Sequence, residues 1–284
     1  MDWLKQLNLA MDYIEDNLEG KISYDTAARL ACCSTYHFQR MFSYIAGVPL
    51  SEYIRRRRLT LAGFELQTGG VKVIDTAMKY GYESPEAFSR AFKKLHGVLP
   101  ASVRDAGVSL KAYPKMSFSI TIKGDTEMKY RIIDREAFRV FGVFTSVSTD
   151  RETAFRQVPD FFRKCDEDAV PDEINRLLGR FHDDHTISAL YDHSETDFKY
   201  MLCQFLPQGL QVPEKFTILE VPAMTWAVID VPDCRTQDMW RRVWGEWFPA
   251  SGYEAVQGPQ FEMYYGLAGH GNVFGEIWVP VRKK

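Results

Sequence analysis

The sequence predicts two domains of different fold class, an all-α domain followed by an α+β domain. Two observations support this division. In residues 1–107 the apolar residues recur at helical spacing, and one pattern returns after a shift of fifty positions. From Met128 onward the hydrophobic period changes to two, and helical stretches separate pairs of strands. We therefore expect domains at 1–107 and 128–284, joined by a linker over 108–127.

The N-terminal pattern is centred on a helix predicted from Ser34 to Gly47. Ser34 is suited to cap the first turn, and Gly47 stands where a left-handed residue commonly ends a helix. The apolar face contains Phe38, Met41, Phe42 and Ile45. The opposite face contains Tyr36, His37, Gln39, Arg40 and Ser43. Taken alone, this pattern favours an ordinary amphipathic helix with a solvated polar side.

A second copy of the pattern argues for more than a surface helix. Shifted by fifty, the cap, the core positions, one outward arginine and the terminator all recur. The matched positions are Asp25–Ala27 with Asp75–Ala77, Ser34 with Ser84, Phe38 with Phe88, Arg40 with Arg90, Phe42 with Phe92, and Gly47 with Gly97. Each copy is a short helix, a turn and a longer helix, which is the layout of a helix-turn-helix unit. Because the outward residues differ between copies, the pair suits a protein that reads two segments of DNA.

Residues 5–105 resemble the DNA-binding domain of the AraC/XylS transcription regulators. Three stretches carry the resemblance: Ser34–Phe42, Tyr53–Leu59, and Ala77–Tyr82 continuing through Phe92–Lys94. The resemblance implies two helix-turn-helix units joined by a linker helix, with each recognition helix entering a major groove of double-stranded DNA. It also implies RNA polymerase as a partner.

The family motif assigns a DNA-contacting set to the two recognition helices. These residues are Ser34, Tyr36, His37, Gln39, Arg40, Ser84, Pro85, Glu86, Ser89, Arg90 and Lys93. A guanidinium such as that of Arg40 or Arg90 can bind guanine O6 and N7, or a phosphate, through two hydrogen bonds. An intradomain salt bridge is the alternative role for both arginines. Tyr36 replaces the tryptophan of close family members, and Pro85-Glu86 replaces a glutamine pair, so we expect a different preferred site.

A long helix from Ser51 to about Gln67 is expected to join the two units. It contains four consecutive arginines, Arg55–Arg58, which together cover the whole circumference of a helix. We expect one or two of them to touch phosphate and the others to meet acidic residues of the same domain. In the linker that follows, the weak alternation of Ser117–Ile122 fits either a short strand or an extended arm.

The C-terminal half predicts a β-β-α-β-β order that occurs twice. Strands are expected at 130–133, 138–144, 186–191, 198–205, 216–221, 225–231, 260–265 and 274–281, with helices near 153–165, 171–180 and 237–248. This two-fold layout, the Phe261–Tyr264 stretch and the closing Gly275–Val281 stretch resemble GyrI-like effector-binding domains.

Two glutamates in these strands are candidates for an effector site. Glu262 and Glu276 lie between apolar neighbours, and a buried carboxylate needs a partner or a cation. An aromatic cavity with a carboxylate suits a hydrophobic or cationic effector. The predicted set is Tyr191, Trp226, Trp244, Glu262, Tyr264, Glu276 and Trp278. We expect both glutamates to line one pocket, with Gly275 leaving space for the ligand; alternatively they face solvent or pair with Arg242 or Arg282.

Composition limits the other classes of function. The net charge is −3, yet residues 1–111 hold 15 Lys and Arg against 12 Asp and Glu, so the half with the repeat is mildly basic. Without a C-x-x-C pair, the five cysteines favour a reducing cytoplasm and give no zinc site. There is no apolar run of about 20 residues, so no membrane span is expected. His182, His185 and His193 near Asp183 and Asp184 only weakly suggest a metal, and no cofactor is predicted.

The sequence thus predicts a cytoplasmic DNA-binding transcription regulator whose C-terminal domain binds a small molecule. No nucleophile–base–acid order or phosphate loop is visible, so no catalytic residue is assigned. Two alternatives concern the C-terminal domain. It could be a small-molecule hydrolase that uses its cavity glutamates, or a module that docks another protein through its sheet.

Overall fold

The computed structural model of the chain describes residues 3–105, 107–118, 127–180, 185–233, 235–265 and 274–284. The chain divides into two compact units. The first contains residues 1–38 and 50–123, and the second contains residues 39–49 and 124–284. The C-terminal part of the first recognition helix therefore belongs to the second unit.

The N-terminal third is helical, as expected from its periodicity. Its helices are α1 (Trp3–Asp16), α2 (Tyr24–Leu30), α3 (Thr35–Ala46), α4 (Leu50–Thr68), α5 (Val73–Lys79) and α6 (Pro85–His96). The pairs α2–α3 and α5–α6 are the two helix-turn-helix units, and α4 is the linker helix. The predicted all-α class and the duplicated units are confirmed.

The ends of the two recognition helices follow the predicted capping chemistry. The Ser84 hydroxyl accepts a hydrogen bond from the amide of Ala87 at 3.1 Å, and the Ser34 hydroxyl accepts one from His37 at 3.3 Å. Gly47 and Gly97 both adopt left-handed backbone conformations, with φ of 73° and 83°. The same cap and the same terminator therefore define both helices, as the repeat predicted.

The four arginines of α4 are all held by groups of the first unit. Arg55 and Arg56 both bind Glu52, at 2.7 and 2.5 Å. Arg57 binds Glu15 of α1 at 2.7 Å, and both side chains of this pair are nearly buried. The Arg58 guanidinium donates to the carbonyl oxygens of Leu18 and Gly20. The expected pairing with acidic residues of the same domain is found, and it involves Arg55, Arg56 and Arg57.

The start of the linker is an extended arm of the first unit. Asn8 holds Phe118 through two hydrogen bonds of 2.9 Å, one to its amide and one to its carbonyl. The amide of Met116 donates to the Tyr53 hydroxyl, and that of Tyr113 to the hydroxyl of Thr60. Over 107–118 the structure therefore favours the arm over the strand, while residues 119–122 of the predicted strand lie outside the described residues.

The second unit is built on one antiparallel sheet. Its strands are β1 (Tyr130–Arg135), β2 (Phe138–Ser148), β3 (His185–Tyr191), β4 (Asp197–Phe205), β5 (Thr217–Val221), β6 (Met224–Val231), β7 (Tyr253–Ala255), β8 (Gln260–Tyr265) and β9 (Gly275–Lys283). Its helices are α7 (Arg151–Glu167), α8 (Val170–Leu177), α9 (Thr236–Arg242), a π-helical turn (Val243–Trp247) and α10 (Phe248–Ser251). The predicted β-β-α-β-β order thus occurs twice, with β7 added before the last pair of strands.

The strand order shows how the two halves combine. It runs β1-β6-β9-β8-β3-β4-β2-β5, and β7 pairs with β9. The first strand of each half pairs with the second strand of the other half, so each half completes the sheet of its partner. The ring centroids of Phe138 on β2 and Trp226 on β6 lie only 6.2 Å apart although four strands separate them. This short distance shows that the sheet curves strongly.

The two faces of the sheet have different partners. One face, here called the aromatic face, carries Tyr191, Trp226, Phe261, Met263 and Trp278. The other, here called the helix-covered face, carries Leu190, Tyr200, Gln260, Glu262 and Tyr264. Tyr200 on this second face packs against Phe161 of α7, and Glu262 binds the indole of Trp240 in α9.

Candidate DNA-reading face and effector site

The second recognition helix leaves all six of its predicted DNA-contacting residues at least partly exposed to solvent. Glu86, Arg90 and Lys93 of α6 are exposed, and Ser84, Pro85 and Ser89 are partly exposed. Among the described residues, Arg90 forms no hydrogen bond or ion pair. The intradomain salt bridge considered for it is therefore not formed, and its guanidinium is available for a base or a phosphate.

The first recognition helix is placed differently. Ser34, Tyr36, Gln39 and Arg40 are partly buried, and His37 is only 2 % exposed. Arg40 is not in a salt bridge among the described residues, but its guanidinium is engaged. Its Nη2 atom donates to the Tyr44 hydroxyl at 3.2 Å and to Oε1 of Gln260 at 3.1 Å. The two arginines that the repeat equates thus have different surroundings.

The candidate effector site is centred on Glu262, which is 2 % exposed. One oxygen accepts a hydrogen bond from the indole Nε1 of Trp240 at 2.6 Å. The other accepts hydrogen bonds from the hydroxyls of Tyr200 at 2.7 Å and Tyr264 at 2.9 Å. All three donors are neutral, and within the described part of the chain Glu262 forms no ion pair. This carboxylate is therefore fixed in orientation and lacks a counter-cation.

The tyrosines around Glu262 remain protonated donors. Burial, together with the Glu262 carboxylate, holds the pKa of the Tyr200 hydroxyl well above its usual range. The same two causes raise the pKa of Tyr264. Since neither hydroxyl ionises near neutral pH, the site keeps its two O–H donors and gains no further negative charge.

Aromatic rings lie beside this carboxylate at helical spacing. Trp240 and Trp244 are four residues apart and both are fully buried. The ring of Tyr44 stacks on both indoles, with centroid distances of 5.4 and 5.1 Å. The Arg40 guanidinium lies 5.0 Å from the Tyr44 ring and 5.9 Å from the Trp244 ring. A cation thus already lies over aromatic faces next to Gln260, which is two residues from Glu262 on the same side of β8.

His193 lies close enough to Arg40 for the arginine charge to affect its imidazole. Burial lowers the pKa of its imidazole well below the usual value, and the Arg40 charge lowers it further. The Nε2 atom of His193 and the Nε2 atom of Gln260 are buried without a hydrogen-bond partner among the described residues. The neighbourhood of Arg40 therefore contains polar atoms whose bonding capacity is not used.

The hypothesis that Glu262 and Glu276 line one pocket is wrong. In the register of β8 and β9, Glu276 is opposite Met263, whereas Glu262 is opposite Ile277. Cross-strand partners share a face and neighbours along a strand alternate, so the two carboxylates lie on opposite faces of the sheet. Glu276 also has a counter-ion, because Nη2 of Arg131 lies 2.7 Å from its carboxylate.

The expected role of Gly275 is also wrong. A Cβ atom at this position would lie 2.2 Å from the carbonyl oxygen of Met263. The absent side chain therefore allows two backbones to approach closely and leaves no space for a ligand. The alternative partners considered for the glutamates are not used either. Arg242 binds Glu246, and Arg282 binds Glu254.

The predicted effector set divides between the two faces. Glu262 and Tyr264 lie on the helix-covered face, and Trp244 lies in the π-helical turn, four residues after Trp240, which binds Glu262. The other members, Tyr191, Trp226, Glu276 and Trp278, lie on the aromatic face. Tyr200, Trp240 and Gln260 complete the first group and were not predicted. The spacing of Trp240 and Trp244 could have indicated the indole pair. Tyr200 required the register of β3 with β4 and β8, which the sequence does not reveal.

The described histidine and cysteine candidates form no further site. His182, Asp183 and Asp184 lie outside the described residues, and His185 packs against the ring of Tyr265. In the part of the chain that the structure describes, no group of three His, Cys, Asp or Glu side chains could hold a metal. No described helix is both long and apolar enough to cross a membrane.

Comparisons with known proteins agree with the two halves of the fold. Residues 27–106 match a family model described as a helix-turn-helix domain, and residues 131–281 match the Cass2 model, described as an integron-associated effector binding protein. The transcriptional activator AarP of Providencia stuartii is 44 % identical over 92 residues, which is 32 % of this chain and 68 % of that protein. The regulatory protein SoxS of Salmonella typhimurium is 35 % identical over 94 residues, 33 % of this chain and 88 % of SoxS.

Solved structures are also similar to parts of this chain, and one of them is described here. The integron cassette protein VCH_CASS2 of Vibrio cholerae is 17 % identical, with a TM-score of 0.38, covering 54 % of this chain and 95 % of that one.

A duplicated helix-turn-helix domain followed by an effector-binding domain defines a DNA-binding regulator of transcription with an effector-binding domain. The chain belongs to the AraC-type family of these regulators, and its C-terminal half is a GyrI-like domain of the Cass2 group.

Proposed function

We propose that this regulator responds to a hydrophobic organic cation that binds at Glu262 on the helix-covered face. The observation that carries the proposal is the Glu262 carboxylate, buried among three neutral donors without a counter-ion in the described residues. A charge in such a position is costly unless it is neutralised. A cationic ligand supplies the missing charge.

The aromatic groups of the site decide what kind of cation fits. Trp240 binds the carboxylate, Trp244 lies one helical turn further on, and the large π faces of such indoles attract cations. Small inorganic cations would instead favour several carboxylate ligands, and no group of three His, Cys, Asp or Glu side chains among the described residues could hold a metal. The preferred effector is therefore an aromatic or lipophilic monocation.

A charge-matched pair of probes tests this proposal in the full chain. Tetraphenylphosphonium is a lipophilic cation without hydrogen-bonding groups, and triphenylphosphine oxide is an uncharged analogue of similar shape. We expect Glu262→Gln to weaken binding of the cation about tenfold or more and to change binding of the neutral analogue little. Titration calorimetry measures both affinities.

Glu276→Gln is the matched control, because it removes a carboxylate from the other face of the same sheet. Cation affinity should stay at the wild-type value in this variant. The proposal fails if Glu262→Gln binds the cation as tightly as wild type does, or if Glu276→Gln produces the larger loss.

We further propose that the C-terminal domain binds its ligand without chemical turnover. The named relatives of the chain are regulators of transcription, which supports a sensor. An aromatic choline ester incubated with the protein should be recovered intact, whereas a hydrolase would release the acid.

We also propose that the protein acts on DNA in the bacterial cytoplasm, with RNA polymerase as its partner. Recruitment of polymerase to a bound promoter fragment tests this.

A further inference from the structure

The two recognition helices carry equivalent arginines that are not equally available. Arg90 of α6 is exposed and forms no hydrogen bond or ion pair among the described residues. Arg40 of α3 donates to Gln260 of β8 and lies over the rings of Tyr44 and Trp244. Residues 39–46 of α3 belong to the compact unit that contains the effector site.

The contacts of Arg40 and Tyr44 with β8 and the two indoles resemble those of a cationic aromatic ligand. Arg40 supplies a cation and Tyr44 supplies an aromatic ring, one helical turn apart. They meet Trp240 and Trp244, which are also one turn apart on the opposing helix. Further along α3, the side chain of Ile45 reaches Gly245 in the π-helical turn, at 4.0 Å from a Cβ built there. Cation and ring are the two features that the proposed effector would also offer.

We propose that residues 39–46 compete with a cationic effector for the Glu262 site, so that effector binding frees the first recognition helix for DNA. This inference rests on the function proposed above and adds its regulation. Arg40 acts as a tethered cation: it donates to Gln260, two residues from Glu262 on the same side of β8, and among the described residues it forms no ion pair with Glu262. A ligand that brings a cation into direct contact with Glu262 gains more electrostatic binding energy than Arg40 does. The same ligand also needs the indole faces on which Tyr44 stacks, so the two cannot bind together.

Competition requires reciprocal coupling between cation and DNA. A cation that displaces residues 39–46 raises DNA affinity, and DNA that captures α3 raises affinity for the cation. Removing Tyr44 weakens the internal competitor while leaving the Arg40 side chain available for DNA. Tyr44→Ala should therefore resemble the effector-bound protein in the absence of effector.

The first experiment titrates tetraphenylphosphonium into full-length variants. Tyr44→Ala and Arg40→Ala should bind it about tenfold more tightly than wild type does, in the range typical of coupling between two sites. Tyr44→Phe keeps the stacked ring, and Arg90→Ala changes the equivalent arginine of α6, so both should match wild type. If Tyr44→Ala and Arg40→Ala bind the cation equally to or more weakly than wild type, the competition is refuted.

The second experiment measures DNA affinity without the cation, on a fragment enriched from random-sequence DNA by the full chain. Tyr44→Ala should bind this fragment several-fold more tightly than wild type does, and added cation should no longer raise its affinity. Unchanged DNA affinity in Tyr44→Ala, with cation binding still lost in Glu262→Gln, would overturn the inference and leave the proposed function intact. If neither wild type nor Tyr44→Ala binds the cation, the proposed function falls first and this inference falls with it.

Discussion

Glu262 and Glu276 lie on neighbouring strands, yet their side chains point to opposite faces of one sheet. Each carboxylate accepts a hydrogen bond from a tryptophan indole, Trp240 for Glu262 and Trp278 for Glu276. Within the described part of the chain, Glu276 has a counter-ion, Arg131 at 2.7 Å, and Glu262 has none. The two carboxylates therefore have different surroundings, and we expect Glu262 to bind the effector and Glu276 to stabilise the sheet.

The ion pair of Glu276 with Arg131 predicts that Glu276→Gln lowers the stability of the protein without changing its affinity for the cation. Arg131 is about half exposed, so water screens the pair and the interaction is modest. We expect Glu276→Gln to lower the free energy of unfolding by about 1 kcal/mol. Urea unfolding followed by tryptophan fluorescence measures this. A loss as large as that of a deeply buried ion pair would show that Arg131 and Glu276 are less solvated than the structure indicates.

A larger effect is expected at the pair formed by Glu15 and Arg57. Its side chains are only 7 % and 10 % exposed, and Tyr53 also donates to Glu15 at 2.6 Å. Removing the Arg57 guanidinium leaves the buried Glu15 carboxylate uncompensated. Arg57→Met should therefore lower the free energy of unfolding by about 3–5 kcal/mol. The free energy of urea unfolding is the measurement.

Two further variants make that prediction specific. Arg55→Ala removes a more exposed arginine, whose partner is Glu52, and should cost no more than about 1 kcal/mol. Replacing both members of the buried pair, as Arg57→Met with Glu15→Leu, should recover much of the loss. Equal losses of unfolding free energy for Arg55→Ala and Arg57→Met would contradict the assignment of Glu15 and Arg57 as a buried ion pair.

His96 predicts a pH dependence of stability in the N-terminal part of the chain. Its Nδ1 atom accepts the amide of Lys111 at 3.2 Å, and its Nε2 atom is 3.1 Å from the carbonyl of Leu59, so the ring is neutral. Burial lowers its pKa in the folded state. The unfolded chain, in which the pKa is near 6.5, takes up the proton first. Stability from this group is therefore complete above about pH 6.5 and declines as the pH falls below it.

The measurement compares wild type with His96→Gln. Unfolding by urea between about pH 8 and about pH 5 should show a steeper decline of stability for wild type, because the variant lacks the titrating ring. Other groups contribute to both proteins, so the difference between the two curves isolates His96. Parallel curves would contradict the neutral buried histidine.

The sequence predicted the elements and the scaffold well because local chemistry determines them. The caps at Ser34 and Ser84, the left-handed Gly47 and Gly97, and the change of period near Met128 all have local causes. Strand register is not local. It decided that Glu262 and Glu276 are on opposite faces, and alternation within each strand could not reveal it. The placement of residues 39–49 in the second unit also depends on tertiary packing that helical periodicity does not encode.

The second recognition helix gives the most direct test of DNA reading. Arg90 is exposed, unlike Arg40, so its variant reports on DNA contact without disturbing a protein contact in the described residues. If Arg90 binds guanine through two hydrogen bonds, Arg90→Ala should cost about 1–3 kcal/mol of binding free energy and relax the base preference at one position.

Lys94→Ala is the control for that prediction, because it removes an exposed charge from the same helix at a position outside the predicted DNA-contacting set. Affinities of both variants should be measured on the preferred fragment and on single-base changes, at two salt concentrations. A uniform loss in Arg90→Ala across all sequences, with a weaker salt dependence, would instead make Arg90 a phosphate contact. Wild-type affinity and base preference in Arg90→Ala would contradict the assignment of α6 as a recognition helix.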